Sequence, residues 1–187
     1  HELEHLSAFR DNTGIYELSN SLPWLLRQGA SQRIGKKRLL FSYAITSALP
    51  GISYLYLPAI SGWEPEASHQ FDPKAPRDLN RVRPSQRFLG DDSSVQSLQS
   101  ILGVSTQFFQ IRASKGAHRL REHFMAGLIS NHTLSIEYPK SDLKFLFNFS
   151  SSQRDNVSKE TSNWRTAVSD GCTGGHLAPL GFAALER

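Results

Sequence analysis

With 187 residues, 39% of them hydrophobic and 20% charged, the chain has room for one large domain or two small ones, and its composition is that of an ordinary globular protein. It holds no run of even a dozen uninterrupted apolar side chains, which excludes a transmembrane segment. The surplus of 21 Lys+Arg over 17 Asp+Glu is mild and spread along the sequence, and a single cysteine, Cys172, excludes an internal disulfide framework and a cysteine-based metal cluster.

Over residues 1–14, Leu3, Leu6 and Phe9 keep helical spacing until Asp11-Asn12-Thr13-Gly14 breaks it. The opening His1-Glu2-Leu3-Glu4-His5 lacks the apolar core of a secretory signal, and together with the lone thiol this points to the cytoplasm. The sequence does not begin with methionine and its only Met is Met125, as expected of a piece of something longer. Ile15-Tyr16-Glu17-Leu18 reads as extended, and Ser19-Asn20-Ser21 can cap a brief helical turn through Pro23-Trp24-Leu25-Leu26.

From about 31 to 49 the residues Leu39, Leu40, Tyr43, Ala44, Ser47 and Ala48 recur at three- and four-residue spacing and mark one face of a helix. Its first turns carry the basic run Arg33-Ile34-Gly35-Lys36-Lys37-Arg38, read as a solvated face or an anion contact, because no interleaved aromatics make it a nucleic-acid site. Pro50-Gly51 stops the helix. Residues 52–59, apolar and uncharged, then suit a strand covered on both faces, as in a parallel sheet. A long connection over 60–90 follows, with Gly62-Trp63, several prolines and many charges.

Asp91-Asp92-Ser93 caps a second amphipathic helix running to about Arg112, its expected buried face being Val95, Leu98, Leu102 and Phe109, joined by Phe108 and Ile111; Lys115-Gly116 closes it. Beyond residue 117 the period changes. Leu134-Ser135-Ile136-Glu137-Tyr138 and Phe145-Leu146-Phe147-Asn148-Phe149 read as a hairpin around Pro139-Lys140-Ser141-Asp142. After a polar stretch over 150–162 come Trp164-Arg165-Thr166-Ala167-Val168, a Gly-rich turn, and a last strand over 177–185. The tail is therefore expected to be a small antiparallel β domain.

Chemistry-bearing groups within this frame are sparse. Gly171-Cys172-Thr173-Gly174-Gly175-His176 juxtaposes a thiol and an imidazole in a glycine-rich turn that offers them no acid–base context. His118, Glu122 and His123 read as a solvated turn or helix rather than a metal site, and Glu64 and Glu66 share a loop without a rigid scaffold. Three Asn-X-Ser/Thr triplets, at Asn131, Asn148 and Asn156, matter only in a secreted chain.

The order of helix, Leu49-Pro50-Gly51-Ile52-Ser53-Tyr54-Leu55-Tyr56, Arg77-Asp78-Leu79-Asn80-Arg81 and second helix resembles the C-terminal third of sucrose-phosphorylase-like enzymes of glycoside hydrolase family 13, the α-amylase superfamily. The stretch from Ile15 to Leu26 resembles the mobile loop these enzymes carry after their seventh barrel strand. The likeness covers residues 14–112. It implies an α/β plus β fold: residues 1–114 as the C-terminal portion of a (β/α)8 barrel, ending in its last helix-strand-helix, and residues 115–187 as a small C-terminal antiparallel β domain. Residues 52–59 would be the eighth strand and 60–90 the eighth active-site loop, at the face where barrel enzymes place their chemistry.

The implied reaction is retaining glucosyl transfer from an α-glucoside to inorganic phosphate, which needs two carboxyls about 5 Å apart and a cationic fork for the phosphate. Arg77 matches the family's phosphate-binding arginine, while Asp78, Asn80 and Arg81 match the residues shaping that loop and the sugar subsite. Tyr16 and Glu17 match the tip of the loop that closes over the acceptor, with Glu17 where sucrose phosphorylases typically carry glutamine. No cofactor or metal is implied. The family's catalytic carboxylates match no residue of this sequence, so the chain by itself is expected to be inactive. Its expected partners are sugar and phosphate once the barrel is completed, with neither nucleic acid nor membrane, and the unpaired edges of strand 52–59 invite association. The reading from another class is a non-catalytic carbohydrate-binding or protein-interaction module, using the β tail, Trp63 and Trp164.

Overall fold

A computed structural model describes residues 26–27, 29–51, 55, 57–60, 92–117 and 123–187. The chain divides into two compact units, one of residues 1–39 and 55–98 and the other of residues 40–54 and 99–187.

In the first unit, the N-terminal half of α1 (Gln32–Ala48) begins at Ser31, whose Oγ accepts from the Ile34 backbone N–H at 3.5 Å. Arg38 Nη1 donates to Leu26 O at 3.1 Å, and Leu39 is buried. The expected strand over 52–59 does not run its full length. Its last three residues belong to a helical turn, α2 (Leu57–Ile60), in which Ala59 and Ile60 are buried. Pro58 lacks only an N–H that a first helical turn leaves unpaired in any case, and a short apolar run does not by itself tell a buried turn from a strand. Residues 52–54 and 56, and the expected loop from residue 61 to 90, lie outside the described residues.

The second unit is built on a six-stranded antiparallel sheet of β1 (Met125–Leu128), β2 (Thr133–Tyr138), β3 (Leu143–Asn148), β4 (Asp155–Asn156), β5 (Arg165–Thr173) and β6 (His176–Glu186). Its order is β1-β2-β3-β6-β4, with β5 paired to β6. The expected hairpin is present: β2 and β3 pair from Thr133↔Asn148 to Tyr138↔Leu143. A 3-10 turn over Pro139–Ser141 and a left-handed Asp142 (φ 47) connect them, a conformation aspartate tolerates well. The β5–β6 hairpin turns at Gly174 (φ 55) and Gly175 (φ 74). Positive φ at both central residues is what a two-residue type I′ turn demands, and glycine adopts it without steric cost.

Every residue of β3 is buried, so the sheet is covered on both faces at this strand. Phe145, Phe147 and Phe182 point to one face, where α1 lays Phe41 and α3 (Asp92–Ser114) lays Phe108. The rings meet edge-on, Phe41 on Phe147 at 5.9 Å and Phe108 on Phe182 at 5.7 Å between centroids, an arrangement that sets the positive ring edge against the negative π-face. On the other face Leu146, Val157, Leu177, Ala183 and Leu185 form an aliphatic cluster that Trp164 and Cys172 partly cover. Val157 reaches it from the polar stretch over 150–162, which holds β4 and a short helix, α4 (Ser158–Thr161), neither expected from its composition.

The buried stripe of α3 is Ile101, Ser105, Phe108 and Arg112; Leu102 is exposed and Phe109 only half-buried. This face is turned by about one residue from the expected one, because two of its members are polar. A Schellman motif ends the helix: Ala117 N–H reaches Arg112 O at 2.7 Å and Gly116 N–H reaches Ala113 O at 3.1 Å, with Gly116 at φ 72.

Candidate functional site

Arg77, Asp78, Asn80, Arg81, Tyr16 and Glu17, the residues matched to phosphate and sugar binding, all lie outside the described residues. What the structure brings together is a set of polar centres in the second unit, and each has a chemistry of its own.

The first is at the C-terminal end of α1. Arg112, 1% exposed, donates from Nη1 to Ser47 O at 2.9 Å and from Nε to Ala117 O at 3.1 Å. Tyr138 donates its hydroxyl to Ala48 O at 2.6 Å, and Ser47 Oγ donates to Ser105 Oγ at 3.1 Å. The last carbonyls of α1 have no partner within the helix and carry its negative dipole end, so a guanidinium and a phenol satisfy both the hydrogen bonds and the charge. No described carboxylate pairs with Arg112, and its Nη2 is buried without an acceptor. Burial holds the guanidinium below its ordinary pKa, partly offset by Tyr138. This cluster fixes where α1 ends, immediately before Pro50-Gly51.

The second centre lies on the opposite face of the sheet. Lys144, 8% exposed, bonds Glu160 at 2.9 Å and Glu137 at 3.2 Å. Burial alone depresses the ammonium, but hydrogen bonds and charge from Glu160 and Glu137 overcome it, and the pKa ends above the ordinary lysine value. Two carboxylates held by one ammonium form an ion-pair network. They do not make the acid and nucleophile of a retaining glycosidase, which requires one carboxyl protonated and the other free. Lys144 Nζ also lies 5.2 Å from the centre of the Trp164 ring, and the Arg187 guanidinium lies 4.2 Å from it. With its ring over the aliphatic cluster and beside two cations, Trp164 is engaged in packing, which weakens its case as a sugar-stacking platform.

Cys172 and His176 stand on adjacent strands without facing each other. Cys172 pairs with Leu177 and Thr173 with His176, so strand alternation sends the thiol to the aliphatic cluster and the imidazole to the opposite side. Burial pushes the Cys172 thiol up, away from the thiolate a nucleophile requires. At the far end of the sheet, Asp155 accepts from the hydroxyls of Ser130 and Thr133 and ties the β1–β2 turn to β4. Burial would raise the pKa of this carboxyl, and these hydrogen bonds, with the Asn156 backbone and the nearby His132, bring it below the ordinary value instead. Among the described residues no group of His, Cys, Asp and Glu could hold a metal ion, and no helix is long and apolar enough to cross a membrane.

No protein-family model matches the chain, and no curated protein does. Solved structures do match. Cyclic α-maltosyl-(1→6)-maltose hydrolase from Arthrobacter globiformis, in its ligand-free form, is 19% identical with a TM-score of 0.53, over 90% of this chain and 33% of that one. The same enzyme in complex with maltose is 19% identical with a TM-score of 0.52, over 83% and 31%. An AmyP variant in complex with maltotriose is 12% identical with a TM-score of 0.62, over 90% and 39%. The chain thus spans about a third of the length of the structures it resembles. These neighbours are α-amylase-family enzymes of glycoside hydrolase family 13, and at such identities the likeness is one of fold. The antiparallel sheet with its few helices fits the C-terminal β domain of such an enzyme.

Proposed function

We propose that the chain is the C-terminal portion of a sucrose-phosphorylase-like enzyme, which moves a glucosyl group from an α-glucoside to inorganic phosphate with retention. The observation that carries this reading is the ordered set of motifs in the sequence, from the helix ending at Pro50-Gly51 to Arg77-Asp78-Leu79-Asn80-Arg81 and the second helix. The fold likeness to α-amylase-family structures over 90% of the chain supports it. In this reading residues 1–114 belong to the barrel and residues 115–187 to the β domain.

Arg77 grips phosphate through its planar guanidinium, whose paired donors match two phosphate oxygens at once. Asp78, Asn80 and Arg81 shape the same loop, and Tyr16 and Glu17 close over the acceptor. The nucleophile and the acid come from barrel strands outside this sequence, so the chain alone does not turn over. Phosphorus NMR of inorganic phosphate titrated with the chain tests the assignment: binding in the wild type and its loss in Arg77→Ala are expected. Phosphate binding that survives Arg77→Ala overturns it, as does phosphate-dependent release of a sugar 1-phosphate by the chain alone.

A further inference from the structure

Two of the strands with a single described partner, β5 and β1, are finished differently. β5, which pairs only with β6 among the described residues, carries Arg165 and Asp170 and shifts register twice, between Thr166 and Val168 and between Asp170 and Cys172. Charges and bulges of this kind are what keep an open edge from recruiting another strand. β1, at the other end, has neither. Its four residues are all exposed and uncharged, and it pairs in unbroken register with β2. Phe124 (37% exposed), Met125 (52%), Leu128 (71%) and Ile129 (37%) gather four large exposed apolar side chains into one six-residue segment.

The hydrogen-bonding direction of this segment follows from one contact. Ile129 N–H donates to Thr133 O at 2.9 Å, which turns Met125, Gly127 and Ile129 toward β2 and leaves the N–H and C=O of Phe124, Ala126 and Leu128 directed at the edge that no other described strand pairs. These three positions are symmetric about Ala126. We infer that β1 is a self-association edge, at which a second copy of this chain adds its own β1 antiparallel about a two-fold axis through Ala126.

In that register Phe124 stands opposite Leu128 of the second copy, extending the face on which the Phe124 ring already lies 6.0 Å from Tyr138. On the other face Met125 stands opposite Gly127 of the second copy. A Cβ built on Gly127 has nothing within 4 Å, so the glycine leaves room for the methionine. Large meets large on one face and large meets small on the other, and no like charges are brought together. A two-fold axis makes the two halves of this pairing equivalent, so each of these contacts is made twice.

Sedimentation velocity of the full chain from low to high micromolar concentration tests the inference. The wild type is expected to pass from monomer to dimer. Ala126→Pro removes an edge-facing N–H while leaving the β1–β2 ladder its bonds, and Leu128→Lys sets a charge against Phe124 of the second copy at a position exposed enough to spare the fold. Each is expected to weaken dimerisation by at least about tenfold, with an unchanged circular dichroism spectrum. A wild type that stays monomeric at high micromolar concentration, or a dimer that Leu128→Lys leaves intact, overturns the inference.

Discussion

Arg112 and Lys144 are both buried cations, set against opposite faces of one sheet, and they are neutralised by different means. Lys144 has two carboxylates, Glu137 and Glu160, each still partly in water. Arg112 has none in its described surroundings; it has the carbonyls of Ser47 and Ala117, a neighbouring phenol and one donor left over. Removing a paired ammonium costs little when its carboxylate partners can return to solvent. A lone buried guanidinium leaves behind carbonyls that water cannot reach. Arg112→Ala is therefore expected to cost about 3 kcal/mol or more, since it opens a cavity and strands the end of α1. Arg112→Met keeps most of the volume and sheds the uncompensated charge, and should cost about half as much. Lys144→Met is expected to cost about 1 kcal/mol. Urea unfolding of the three variants checks the order; equal losses for Arg112→Met and Lys144→Met would erase the difference between the two cations.

Tyr138 sharpens the same comparison because it shares the helix end with Arg112. Tyr138→Phe removes one hydroxyl and nothing else, leaving Ala48 O without that donor, for an expected loss of about 1 kcal/mol. If the two residues cap α1 as a unit, the double variant with Arg112→Met loses an amount that differs from the sum of the single losses. Strict additivity would mean that Arg112 and Tyr138 act on α1 independently.

Neither contact could be seen in the sequence, although the helix it closes could. The apolar spacing of Leu39, Tyr43, Ala44 and Ala48 marks the buried face of α1, because a helix writes its period into nearby residues. Strands β2 and β3 show themselves in the same way through alternation and an aspartate turn. Arg112 joins Ser47 across 65 residues and Tyr138 joins Ala48 across 90, and no local period encodes a pairing at that range. The same contact hid the buried stripe of α3: Ser105 and Arg112 are polar by type, and they are buried only because each meets a polar group of α1 or the loop beyond α3. Four exposed residues without alternation concealed β1, and the turn at Leu57–Ile60 shared its apolar run with the strand expected there. The residues matched to phosphate and sugar binding rest on motif order alone and lie outside the described residues. Composition and period carry no information about an arginine's ligand.

The smallest effect comes from the carboxylate at the other end of the sheet. Asp155 stands between the two buried cations in character: it is partly exposed, as the partners of Lys144 are, and it is held by hydroxyls rather than by a salt bridge, as Arg112 is held by carbonyls. Its pKa in the folded chain lies below the ordinary 3.8. A depressed carboxylate contributes stability that is fully present above its unfolded pKa and is lost as pH falls through the folded one. The contribution should therefore be intact at neutral pH and decline only below about pH 4. Asp155→Asn keeps the shape and an acceptor oxygen but removes the charge, so the variant should be slightly less stable than wild type at pH 7, by less than Tyr138→Phe. The two curves should converge as the medium is acidified. Thermal unfolding followed from neutral to strongly acidic pH decides the matter: a gap that stays constant would show that the hydroxyls of Ser130 and Thr133 bind Asp155 through geometry alone, without drawing on its charge.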